Sequence, residues 1–89
     1  MSLSQMYAAL ADPTRHKILE LLKKHELPAG QIGKHFDITA PSLSHHLNIL
    51  KQADLISSRR VGQEIIYSLN LSVFEEMAET LIKFFKIKK

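Results

Sequence analysis

Four residues, Phe36-Asp37-Ile38-Thr39, separate two stretches whose apolar side chains recur at helical spacing. On one side, Ala29, Ile32 and the first of these four, Phe36, fall at i, i+3 and i+7; on the other, Leu43, Leu47 and Leu50 fall at i, i+4 and i+7. So short a joint forces its two helices to meet at a sharp angle, the arrangement of a helix-turn-helix. Thr39 is a good N-cap and Pro41 is tolerated in a first turn, which predicts a helix over Ala40 to Gln52.

The rest of the chain frames that unit. Leu3, Met6, Tyr7 and Leu10 predict a short helix within Met1 to Ala11. Asp12-Pro13 then starts a second helix, Pro13 to Lys24, with Asp12 as cap and Pro13 where its missing N–H costs nothing. Ile18, Leu21 and Leu22 share its apolar face, and Lys23-Lys24-His25 place cations at the negative end of its dipole. Leu27-Pro28 stops this helix and opens the short one ahead of the turn. Beyond Asp54 the period changes. Leu55 to Arg60 and Glu64 to Leu69 are rich in β-formers and flank Val61-Gly62-Gln63, where the glycine supplies the positive φ of a three-residue hairpin. Asn70 to Lys86 returns to helix, with Ser72 as its cap. Four helices, a hairpin and a fifth helix make a mainly α (α+β) winged helix-turn-helix. Residues 1–89 are expected to form one domain, with the helix-turn-helix at 28–52, the wing at 55–69 and terminal helices at 3–11 and 71–86.

Eighty-nine residues bury only a modest core, and small domains need a further source of stability. There is no cysteine, so disulfides and thiolate metal sites are excluded and oligomerisation remains. The last helix supplies a surface for it. Phe74, Met77, Leu81 and Phe84 line one stripe, with Ala78, Ile82 and Phe85 in the next, an apolar face too wide for one small domain to cover. Hydrophobic content of 45% and charged content of 24% are ordinary for a globular domain. No apolar run reaches the roughly 18 residues of a membrane span, and no leader pattern precedes the first helix, so a cytoplasmic protein without membrane insertion is expected.

The helix from Ala40 to Gln52 carries no acidic residue, and Lys51 is its only full charge. Outside its leucine stripe it offers Ser42, Ser44, His45, Asn48, Lys51 and Gln52, groups that donate and accept hydrogen bonds at base edges and phosphates. Its positive end, from Thr39 to Ser42, favours a phosphate. From Ile38 to Gln63 the charges are Lys51, Arg59 and Arg60 against Asp54, a net of +2 out of the whole chain's +3. A face meant only for water normally mixes Glu and Lys, so double-stranded DNA is the expected partner. Arg59 and Arg60, just before the hairpin tip, suit a phosphate or a narrow minor groove. The DNA-facing set is therefore Thr39, Ser42, Ser44, His45, Asn48, Lys51, Arg59 and Arg60, while His46 packs beside the leucines and makes a hydrogen bond.

Competing readings are weaker. Ser42 and His46 are i and i+4 on one helix, but no acidic orienter or oxyanion loop accompanies them, so an enzyme is not expected. A winged helix used for protein contacts commonly loses its basic wing or loads the third helix with acids. His45 and His46 diverge by roughly 100° around a helix and cannot chelate one ion together. No metal and no cofactor is expected, although a metal sensor with an unusual His/Glu site stays an alternative.

The segments Ala9–Leu22 (ALADPTRHKILELL), Ser42–Arg60 (SLSHHLNILKQADLISSRR) and Gly62–Leu69 (GQEIIYSL) resemble the ArsR/SmtB family of bacterial winged-helix repressors. The resemblance implies a homodimer joined by the first and last helices, with Leu3, Met6, Tyr7, Leu10, Phe74, Met77, Leu81 and Phe84 at the interface. It also implies a pseudo-palindromic operator and repression lifted by an inducer. Pro28 and Gly30 stand where the family's thiol site would have cysteines, and the last helix holds Glu75, Glu76 and Glu79 but no histidine. The usual metal sites are thus missing, and autorepression relieved by a protein partner fits a short, cysteine-free member. Asp54 replaces the glycine that usually follows the helix corresponding to Ala40 to Gln52, and aspartate tolerates the left-handed turn better than most residues.

Overall fold

The computed structural model describes residues 3–86, and for Leu3 its backbone only. The elements in chain order are α1 (Leu3–Ala11), α2 (Pro13–Lys24), β1 (Leu27–Pro28), α3 (Ala29–Gly33), α4 (Ala40–Gln52), β2 (Ile56–Val61), β3 (Glu64–Leu69) and α5 (Leu71–Lys86). α2 and α4 begin and end where their capping residues place them. Asp12 accepts from the Arg15 N–H at 3.0 Å, and Thr39 Oγ1 accepts from the Ser42 N–H at 3.2 Å. Each of these caps satisfies one of the donors that a helix start leaves without an intrahelical partner.

The far end of α4 is equally well defined. Asp54 adopts φ 59°, the Leu55 N–H donates to the Leu50 carbonyl and the Asp54 N–H to the Lys51 carbonyl, each at 3.0 Å. These two bonds form a Schellman motif, with fully buried Leu50 and Leu55 as its apolar pair. Aspartate therefore holds the left-handed position where glycine is usual.

Three expectations are corrected here. The hairpin loop has two residues, not three, because Val61 pairs with Glu64 and leaves Gly62-Gln63 at the tip. Gly62 takes φ 63°, the positive φ that a primed hairpin turn requires at its first central residue. The sheet also has a third strand: β1 pairs antiparallel with β3, giving the order β1-β3-β2. Pro28 is compatible with this strand because β1 lies at the edge. Finally, the residue at the start of α5 is Asn70, not Ser72. Its carbonyl accepts from the Val73 N–H, its side chain donates to the Asp54 carbonyl at 2.9 Å, and Ser72 Oγ donates to Asn70 Oδ1.

One core joins these pieces. Ile18, Ile32, Leu47, Leu50, Leu55 and Ile56 are its most buried large side chains, drawn from α2, α3, α4 and the start of the wing. At Gly33 the α3 backbone meets the side chain of Leu43 from α4: a Cβ there would lie 3.3 Å from Leu43 Cδ2. A side chain at this position would press on that leucine, which is part of the buried stripe of α4.

Candidate nucleic-acid interface

α4 is held by Leu43, Leu47 and Leu50, all buried, and so turns its other side outward. Ser44, His45, Asn48, Lys51 and Gln52 are exposed there, Thr39 is exposed at the cap, and Ser42 is half-buried. The cap also limits what the positive end can do. Thr39 already takes the Ser42 N–H and Pro41 has none, which leaves Ala40 to offer a first-turn N–H to an anion. Phosphate binding at this end is narrower than the dipole alone suggests.

His46 lies at the inner edge of α4, half-buried, and accepts at Nδ1 from Arg15 at 3.3 Å. Asp12 Oδ2 is 3.9 Å from the same nitrogen. The fold thus places an acid near His46 that chain order did not reveal. Its Oδ2 is engaged by the Arg15 N–H, which together with the Arg15 charge holds the Asp12 carboxyl below its ordinary pKa.

The two wing arginines part company. Arg59 makes a two-pronged ion pair with Glu26, with NH1 donating to Oε2 at 2.9 Å and NH2 to Oε1. The pair crosses the outer face of the sheet over β3, from β2 to the residue just before β1. It lowers the Glu26 pKa and raises that of Arg59. Arg60, paired through the backbone with Ile65, is exposed and has no side-chain partner among the described residues. Sequence reasoning assigned both arginines to DNA and missed Glu26, whose sole signal was its charge.

The residues expected at a dimer interface also separate. Met6 and Met77 are buried in the chain's own core, at 7% and 8% exposure. Leu10 and Phe74 pack against its margin. Tyr7, Leu81 and Phe84 are exposed, together with Leu71, Ile82 and Phe85, while the Leu3 side chain lies outside the described residues. Among the described residues no three His, Cys, Asp or Glu side chains converge to hold a metal ion. None of the described helices is long and apolar enough to cross a membrane.

A three-helix unit, a β-wing and an outward polar helix define a winged helix-turn-helix regulator. The model of the arsR family of bacterial regulatory proteins matches residues 12–58, and the chain belongs to that family. It is 50% identical over 82 residues to the transcriptional repressor SdpR of Bacillus subtilis, spanning 92% of this chain and 91% of the relative. It is 35% identical to the arsenical resistance operon repressor of Staphylococcus xylosus, over 89% of this chain and 76% of that one. Among solved structures, an ArsR family regulator, RHA00566, superposes with a TM-score of 0.88 at 25% identity, covering 96% of this chain and 93% of that one. The DNA-binding domain of Mb0332 from Mycobacterium bovis, described as homodimeric, superposes with a TM-score of 0.77 at 25% identity, covering 94% and 79%. The chain is a DNA-binding transcriptional regulator, not an enzyme.

Proposed function

We propose that the protein is a homodimeric repressor that reads a pseudo-palindromic operator with the outer face of α4. The observation that carries this reading is that face itself. It is acid-free, hydrogen-bonding and exposed, on a helix fixed by a buried leucine stripe and capped at both ends. Ser44, His45 and Asn48 meet base edges, Lys51, Thr39 and Ser42 lie toward phosphates, and Arg60 reaches the backbone or minor groove from the wing. Arg59 has a smaller part, because Glu26 already occupies its fork.

Two copies associated through Tyr7, Leu81, Phe84 and their neighbours would present two reading helices. A two-fold dimer of this kind reads half-sites spaced by about one turn of DNA, roughly 34–36 Å. Repression of its own gene, lifted by a protein partner and not by a metal ion, completes the reading. The repressors among its relatives support the repressor part of this reading, and the protein partner is suggested by a chain that carries no cysteine.

The test is a gel-shift series on the DNA immediately upstream of the protein's own coding sequence, with zinc, with copper and with a chelator. A specific shift, unchanged by metal or chelator, is expected. His45→Ala with Asn48→Ala should abolish sequence preference while leaving fold and association intact. Unaltered preference in that double variant refutes the assignment. The neutralised Arg59 favours one rival, a winged helix serving protein contacts. Salt separates the two, because phosphate contacts weaken steeply as salt rises.

A further inference from the structure

We propose that Arg15 is a positioning residue for the reading helix: its guanidinium ties α4 to α1 through His46, and protonation of His46 releases the tie. The inference rests on α4 being the DNA-reading element.

Arg15 spends its donors on two elements. Nε donates to the Ala9 carbonyl at 2.9 Å and NH2 to the Ala8 carbonyl at 3.2 Å, both in the last turn of α1. Those carbonyls have no intrahelical partner, because α1 ends at Ala11 and Pro13 starts a new helix. NH1 faces His46 Nδ1 on α4 at 3.3 Å. One planar cation therefore caps α1 and holds α4. Direct packing between the two helices is interrupted on this side by a cleft of about 300 Å³, lined by Gln5, Ala8, Ala9, Arg15, Ile49, Gln52 and Ala53. The guanidinium lines that cleft and links its two sides.

The chemistry of the contact makes it proton-dependent. An arginine N–H can only donate, so His46 must offer an unprotonated Nδ1 and carry its proton on Nε2. Adding a proton at Nδ1 turns two partners into two opposed cations. The charged groups facing that nitrogen are Arg15 and Asp12 from α2 and its approach, while α1 presents backbone carbonyls. A protonated His46 is repelled by Arg15 and drawn to Asp12, 3.9 Å away. His45, whose ring centre lies 5.9 Å from that of His46, is the next residue along and belongs to the proposed reading face. A shift of His46 is thereby passed on to a DNA contact.

The test compares wild type, His46→Asn and His46→Leu. Asparagine places an acceptor oxygen close to the position of Nδ1 but does not titrate; leucine removes the acceptor. Nitrogen NMR of the free protein at neutral pH should find His46 with its proton on Nε2; a proton on Nδ1 overturns the proposal whatever the DNA result. Affinity for the upstream DNA is then measured from about pH 8 to about pH 5.5. Wild type should lose affinity about three- to tenfold relative to His46→Asn on acidification, the worth of one hydrogen bond. His46→Leu should be weaker than wild type at the alkaline end by a similar factor, with unchanged association. If it proves less stable, the wild-type and His46→Asn profiles alone decide, and superimposable profiles sink the proposal. Absence of specific binding in all three proteins instead refutes the reading of α4, while the NMR result still decides the link.

Discussion

α4 and α5 are the two longest helices of the chain, with 13 and 16 residues, and they treat their apolar side chains in opposite ways. α4 buries Leu43, Leu47 and Leu50 in its own core and leaves a polar face to solvent. α5 buries Met77, rests Val73 and Phe74 on the core margin, and leaves residues 78–86 exposed. Phe84 and Phe85 are 67% and 69% exposed, their rings meeting edge to face at 5.6 Å. The radius of gyration, 14.3 Å, exceeds the roughly 12 Å expected of a compact chain of this length. Burial inside the chain thus fixes α4 firmly enough to recognise something polar. α5 instead leaves an apolar face that the described residues do not cover.

The sharpest way to break this contrast is to charge α5. Leu81→Glu with Phe84→Glu should abolish self-association while helix content stays unchanged, since neither side chain belongs to the core. Each apolar group covered by a partner contributes about 1.5–3 kcal/mol, so losing two is enough to dissociate a dimer at micromolar concentration. Sedimentation velocity would decide it, and a profile matching wild type removes this surface from the interface. Next in size is the converse change, Leu50→Ala on α4. The site is fully buried, so the variant should lose about 2–5 kcal/mol of stability through lost transfer energy and a cavity. Chemical denaturation would report it, with association altered only as far as folding is.

Much of this contrast was legible in the chain. Caps made it so for α2 and α4, because Asp12-Pro13 and Thr39 with Pro41 mark a helix start by local chemistry alone. The leucine period told which side of α4 is inner and therefore which residues are outer. β1 was not legible, since two residues, one of them proline, have no period and become a strand only by lying against β3. Nor was the Arg59–Glu26 pair, which joins residues 33 positions apart across the sheet. The α5 stripe showed that a wide apolar face exists. It could not show that Met77 turns into the chain's own core while Leu81 and Phe84 do not, because periodicity gives the side of a helix and not where the core ends.

A smaller effect is expected at the junction that orients α4 against α1. Asp12→Ala removes the α2 cap and should cost about 1 kcal/mol near neutral pH. The Asp12 carboxyl is held below its ordinary pKa, chiefly by the hydrogen bond from the Arg15 N–H. A depressed value in the folded state means that the ionised carboxylate stabilises the fold above the unfolded-state pKa, and that this contribution is lost as pH falls through the folded one. The stability gap between wild type and variant should therefore narrow on acidification below the carboxylate range. Thermal melts across that range would check it, and a constant gap would assign the loss to packing.

The smallest effect distinguishes the two wing arginines, and so asks whether outward-facing charge is equivalent to available charge. Arg60 has no side-chain partner among the described residues, whereas both prongs of Arg59 lie on Glu26. Arg60→Ala should weaken binding to all DNA sequences alike and reduce the salt slope by about one, the signature of a lost phosphate contact. Arg59→Ala should leave the slope nearly unchanged, because its charge is already balanced and binding would first have to break the pair. Glu26→Gln should then raise affinity and steepen the slope, by releasing Arg59 to a phosphate. Titrations at several salt concentrations would measure all three. If Arg59→Ala instead matches Arg60→Ala, Arg59 leaves Glu26 for DNA in the complex, and the pair across the sheet is a resting contact.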